Sequence, residues 1–186
     1  MRTAIFVAVL LIWTFSGLYL GIAGFARASM DESLNEIQSK KETLIKETFK
    51  PIEVGGIEVD NQYDLQWLLE RQVVDELFPW TLTLSSIVSL MITALSFGQL
   101  GAVIAILKMI AFDRRPLNSI PLYSLPLLGL LSGLVVYGVV MLLPTILAEG
   151  VPKTRPLALM FLCLFAGIFL EPFYAKVNTY FNKIFL

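Results

Sequence analysis

Four long apolar runs constrain the fold of this chain more than any other feature. They cover residues 4–25, 80–107, 120–147 and 157–175. A helix needs roughly 20 mainly apolar residues to cross a bilayer, because each residue advances it by about 1.5 Å. Charged residues make up only 16% of the chain, against about 25% in an average soluble domain. The sequence therefore predicts an all-α integral membrane protein with four transmembrane helices.

A polar region separates the first two runs. Residues 26–79 hold twelve acidic and six basic residues, which gives this region a net charge near −6. Two Ile-Glu-Val triplets flank Gly55-Gly56, and paired glycines suit a two-residue hairpin turn. We therefore predict a small acidic helix–hairpin–helix extramembrane domain over 29–79. Its predicted elements are a helix over 31–50, a hairpin over 52–59 and a helix over 61–78.

The boundary between the first span and this domain is predicted from two capping boxes. Ser29 and Glu32 form one, and Ser33 and Glu36 form the other. This spacing is typical of a helix start. The sequence therefore predicts that the apolar run ends at Arg27 and that a helix over about 31–50 follows, either as a new helix or as a direct continuation of the first span in one long helix.

The first run has two interpretations. Ala26-Arg27-Ala28 resembles the small-residue cleavage site of a secretory signal. The run over 4–25 is longer than the 7–15 residues of a usual signal core, which favours a retained signal anchor over 1–28.

The remaining segments give the expected topology. They are a second span over 80–107, a basic cytoplasmic loop over 108–119, a third span over 120–147, a short loop over 148–156, a fourth span over 157–175 and an interfacial segment over 176–186. Basic residues are densest in the segments 1–3, 108–119 and 176–186. By the positive-inside rule this density predicts that both termini are cytoplasmic and that 29–79 is extracytoplasmic. The membrane that we expect is the bacterial inner membrane. The raw number of basic residues favours the reverse orientation.

Small residues at four-residue spacing predict where helices pack. In lipid, close approach of helix backbones through small side chains contributes much of the association energy. The predicted packing positions are Gly17, Gly21, Ser85, Ser89, Gly98, Gly129, Gly133 and Gly167. The pattern fits contacts within one chain as well as contacts between copies.

A polar intramembrane site is a second candidate. Glu171 is the only acidic residue inside an apolar run, and a charged group in hydrocarbon is costly and often functional. A proton or cation site would combine it with Gln99, Ser96 and Tyr137. The alternative is an anchor near the cytoplasmic interface, where Glu171 pairs with Lys176 or Arg115.

Two surfaces are candidates for partner or lipid contact. Lys108, Arg114 and Arg115 form a short basic loop, which fits anionic lipid headgroups, a protein partner or a simple topology signal. Leu65, Leu69 and Val73 recur every four residues on the helix predicted over 61–78. Such a stripe needs a covering surface, so we expect a homo-oligomer, a second protein subunit, or both.

The sequence also excludes several classes of function. It contains no histidine and only one cysteine, Cys163, which excludes histidine-based catalytic triads and histidine-ligated zinc. No nucleophile elbow, Walker A loop or HExxH motif is present. We therefore predict no enzymatic activity, cofactor or metal. Nucleic acid is not an expected partner, because its binding needs a basic footprint.

Two functional hypotheses follow. The first is a non-catalytic inner-membrane subunit, a sensor or scaffold, that oligomerises and recruits a partner protein. The second is an ion-conducting or membrane-perturbing homo-oligomer that uses the polar face of the second span together with Glu171.

Overall fold

The computed structural model describes most of the chain as helix. The described residues are 2–44, 52–54, 57–59, 62–114, 116–117, 120, 122–146 and 156–170. In chain order the elements are α1 (Arg2–Leu44), β1 (Ile52–Val54), β2 (Ile57–Val59), α2 (Gln62–Leu77), a 3₁₀ helix (Pro79–Thr83), α3 (Ser86–Ala111), α4 (Ser124–Ile146) and α5 (Pro156–Ile168).

Three of these helices are long and apolar enough to cross a membrane. The spans are Thr3–Met30 in α1, Ser86–Ala111 in α3 and Ser124–Leu142 in α4. Helix α5 is equally apolar but has 13 residues, which corresponds to about 20 Å at 1.5 Å per residue. The hydrocarbon core is about 30 Å thick. The fold is thus that of an all-α membrane protein, and the fourth span stays a prediction that extends into residues outside the described part of the chain.

Helix α1 passes through the boundary that the capping boxes predicted. It continues from Arg2 to Leu44 without interruption, so neither Ser29 nor Ser33 begins a new helix there. The Ser29 hydroxyl donates to the Ala26 carbonyl at 3.0 Å, a bond that a serine makes from within a helix. Of the two alternatives that the sequence leaves open, the structure has the single long helix, and the helix expected over 31–50 is the continuation of α1 as far as Leu44.

The chain divides into two compact units, Met1–Ile22 with Leu90–Leu186, and Ala23–Ser89. In the second of these, β1 and β2 pair antiparallel with Val54 opposite Ile57. Helix α2 contacts β2 and the 3₁₀ helix. That 3₁₀ helix occupies Pro79–Thr83, so α3 begins at Ser86, six residues after the predicted start of the second span.

The first unit contains a hydrophobic core around the end of α3. Its buried members are Ala102, Ile106, Ile120, Leu125 and Leu170. Phe6 and Leu10 of α1 pack against this cluster. The core therefore draws residues from α1, α3, α4 and the chain that follows α5.

Candidate functional site

Glycines bring α3 into backbone contact with α4. A methyl group placed on Gly98 would lie 2.8 Å from the Gly133 nitrogen and would also meet the Gly129 carbonyl oxygen. A methyl group on Gly129 would lie 2.6 Å from the Gly98 carbonyl oxygen. These contacts leave no room for a side chain at either glycine. Close approach of two membrane helices requires small residues of this kind at the contact.

The same part of α3 also meets α5. A methyl group on Gly101 would lie 2.8 Å from the Gly167 Cα and would meet the Leu164 carbonyl oxygen. Conversely, a methyl group on Gly167 would lie 2.9 Å from the Gly101 Cα. One turn of α3 is therefore in backbone contact with two helices at once.

Helix α1 packs on α3 through its own pair of glycines. A methyl group on Gly17 would lie 3.0 Å from the Leu100 side chain, and one on Gly21 would lie 3.1 Å from the Phe97 ring. These neighbours are side chains, so this contact is more adaptable than the backbone contacts at Gly98.

A buried amide links α3 to α1. Gln99 is 3% exposed, and its Nε2 donates to the Trp13 carbonyl oxygen at 2.6 Å and to Ser16 Oγ at 3.1 Å. The Ser16 hydroxyl in turn donates to the Trp13 carbonyl at 3.2 Å. Both amide protons of Gln99 are therefore used in binding α1.

Gln99 is the last of four polar residues on α3 that are all nearly inaccessible. Ser89 and Thr93 are fully buried, and Ser96 is 2% exposed. Their spacing of three or four residues places them along one side of the helix.

The predicted polar site around Glu171 is only partly within the described residues. Ser96 and Tyr137 are both buried, but the Gln99 amide protons point to α1 and not to either of them. Glu171 itself lies outside the described residues. On α4, Ser132 donates to the carbonyl of Gly129 at 2.8 Å, which satisfies its hydroxyl locally.

Ser85 has a different role from the helix packing that its spacing predicted. It precedes α3 and is exposed, and its Oγ accepts the Val88 N–H at 3.4 Å. This is the geometry of an N-cap. The prediction failed because the helix begins at Ser86, so Ser85 has no helix face to contribute.

The basic loop follows α3. Lys108 and Arg114 are exposed, and the Asp113 N–H donates to the Lys108 carbonyl at 3.4 Å. Arg114 adopts a positive φ of 49°, which is uncommon for a residue with a side chain. Arg115 lies outside the described residues.

The apolar stripe of α2 is largely uncovered. Leu69 is 50% exposed, Val73 56% and Leu77 59%. The side chain of Leu65, the first member of the predicted stripe, lies outside the described part. On another side of α2, Arg71 lies 3.8 Å from Asp75 and stacks over Trp67 at 5.3 Å from the ring centroid.

Sequence reasoning missed Ser16, which precedes Gly17 in the sequence. Gly101 was not missed, because it falls on the same four-residue track of the second span as Ser85, Ser89 and Thr93. Nothing local, however, indicates that Gln99 and Ser16, 83 positions apart, form a hydrogen bond.

Comparisons with known proteins do not identify a family for this chain. No protein-family model matches the chain, and comparisons with curated proteins and with solved structures give no match. Among the residues that the structure describes, no three Cys, Asp or Glu side chains are grouped closely enough to hold a metal ion.

Proposed function

We propose that this chain is a non-catalytic subunit of the bacterial inner membrane that oligomerises and recruits a partner protein through its acidic region. The observation that carries the proposal is the uncovered apolar stripe of α2, formed by Leu69, Val73 and Leu77. Burying an aliphatic side chain is worth about 1.5–3 kcal/mol, so leaving half of each exposed forgoes roughly 1 kcal/mol per residue. A partner that covers the stripe gains this free energy.

The charges beside the stripe indicate the chemistry of that partner. Glu70 and Glu76 are exposed and fall at the two edges of the stripe at 100° per residue. They belong to a region whose net charge is near −6. An amphipathic helix with basic residues beside its apolar face complements this surface, since apolar anchors supply affinity and opposite charges fix orientation.

The packing of α3 supports a scaffold over a conducting pore. Its polar row is buried, the Gln99 amide is bound to α1, and Gly98 is in backbone contact with α4. An ion pathway needs polar groups that face water, whereas these side chains are buried and the Gln99 amide binds α1. The conducting homo-oligomer remains the second proposal, and it predicts ion flux in liposomes that Glu171→Gln abolishes.

The test compares two lysine substitutions on α2. Val73→Lys places a charge in the stripe, and Gln72→Lys places the same charge on the neighbouring exposed residue. Each tagged protein is extracted gently from its host membrane, and native mass spectrometry counts its copies and any stoichiometric second protein. We expect Val73→Lys to weaken the assembly at least tenfold and Gln72→Lys to leave it intact.

Three results distinguish the proposals. Loss of a stoichiometric second protein in Val73→Lys alone supports recruitment through α2. A discrete homo-oligomer that contains no other protein and conducts ions supports the pore. Equal assembly of Val73→Lys and Gln72→Lys means that the stripe of α2 is not an interface, and the proposal then fails.

A further inference from the structure

An apolar groove opens in the first unit beside the start of α1. Its volume is about 450 Å³, within the roughly 300–1,000 Å³ typical of small-molecule sites. The lining residues are Ile5, Phe6, Leu117, Ile120, Leu122, Tyr123 and Ser124. All but Tyr123 and Ser124 are purely apolar.

The lining residues show where the groove lies relative to the candidate spans. Ile5 lies within one turn of Thr3, where the first candidate span begins, and Ser124 begins the span of α4. Leu117 follows the end of α3 at Ala111. The start of the first candidate span, the chain just after the second and the start of the third therefore come together at the groove, as they would at one face of a membrane. Tyr123 is 61% exposed there, as tyrosines at membrane–water interfaces often are.

Basic residues lie in the segment that leads from the end of α3 to the groove. Arg114 precedes Leu117 by three residues, so their Cα atoms are at most about 11 Å apart. The Asp113 N–H bonds to the Lys108 carbonyl, which keeps the last turn of α3 beside this loop. Both basic side chains are exposed. An apolar groove with adjacent cations complements a molecule that has a hydrocarbon chain and an anionic headgroup.

We infer that this groove binds an anionic phospholipid of the surrounding membrane. One acyl chain lies along Ile5, Phe6 and Leu122, and the phosphate faces Arg114 and Lys108. This site is independent of the oligomeric function proposed above, because it involves no residue of α2.

The test is native mass spectrometry of the full chain in detergent, titrated with phosphatidylglycerol, phosphatidylcholine or water-soluble glycerol phosphate. We expect one phosphatidylglycerol to be retained at least fivefold more tightly than phosphatidylcholine, and no retention of glycerol phosphate. Arg114→Asn removes the charge while suiting the positive φ, since asparagine adopts that conformation more readily than arginine. It should lower the affinity for phosphatidylglycerol about fivefold, as expected for about 1 kcal/mol per basic residue near a lipid surface.

Two further variants separate the groove from general lipid contact. Ser124→Trp fills the groove and should abolish retention of both lipids, whereas Val139→Trp, at an exposed position of α4, should not. Lys153→Gln removes a base that lies between α4 and α5 in the sequence and should leave the phosphatidylglycerol affinity unchanged.

Several results would overturn the inference. Equal retention of the two lipids would show that the basic residues do not contribute to binding. Unchanged lipid binding in Ser124→Trp would show that the lipid does not bind in the groove. Binding that begins only after deletion of residues 173–186 would mean that the chain's own C-terminal segment occupies the groove. Retention of glycerol phosphate at the same affinity would assign the site to a free phosphate instead of a lipid.

Discussion

The contact between α3 and α4 predicts that Gly98→Ala destabilises the protein. The added methyl group would lie 2.8 Å from the Gly133 nitrogen and 3.0 Å from its Cα. Favourable contacts between carbon atoms lie near 3.5–4.0 Å. Both clashing atoms belong to the backbone, so no rotamer change relieves them and the two helices must move apart by roughly 0.5–1 Å.

Gly138→Ala is the matched control for this substitution. It makes the same chemical change within α4, and its methyl group would have no neighbour within 4 Å. Both substitutions gain the same helix propensity, up to about 1 kcal/mol, so this contribution cancels in their difference. What remains is overpacking, which costs about 1–3 kcal/mol. Gly98→Ala should therefore be about 1–3 kcal/mol less stable than Gly138→Ala.

The measurement is unfolding of each variant in lipid–detergent micelles by titration with sodium dodecyl sulfate, followed by far-UV circular dichroism. Gly17→Ala gives an intermediate case, because its methyl group would meet the movable Leu100 side chain at 3.0 Å. We expect Gly138→Ala to be the most stable of the three variants, Gly17→Ala to be intermediate and Gly98→Ala to be the least stable. The close backbone contact would be refuted if the free energies of unfolding of Gly98→Ala and Gly138→Ala differed by less than about 0.5 kcal/mol, which is near the usual limit of additivity.

Two further predictions concern α1. Gln99→Leu removes two hydrogen bonds to α1 and should lower stability by about 0.6–1.7 kcal/mol. In a double-mutant cycle its effect should be coupled to that of Ser16→Ala, and strict additivity would contradict the bond between them. Ser29→Ala should leave the free energy of unfolding unchanged or slightly raised, because Ser29 lies inside α1. A loss of about 0.5–2 kcal/mol in the free energy of unfolding, measured by the detergent titration described above, would instead identify Ser29 as an N-cap.

Ser29 illustrates why helix boundaries are hard to read from sequence. A serine three residues before a glutamate is typical of a helix start. The same serine can also donate to a carbonyl one turn earlier, as Ser29 does to Ala26, and then the helix continues. The two outcomes share one local pattern, so the pattern cannot choose between them. Ser85 is the converse case, in which a residue assigned to a helix face is the residue that caps α3.

The sequence by itself determined where the long apolar helices lie. Span length follows from the hydrophobicity of consecutive residues, which is a local property, and three of the four apolar runs form helices of sufficient length. Only the tertiary structure decided which surfaces meet. Gly98 contacts Gly129, Gly133 and Gly167, and Gln99 binds a carbonyl 86 positions away. Small residues at four-residue spacing permit close approach to any helix, so the choice of partner depends on how all the helices fit together, which no single segment encodes.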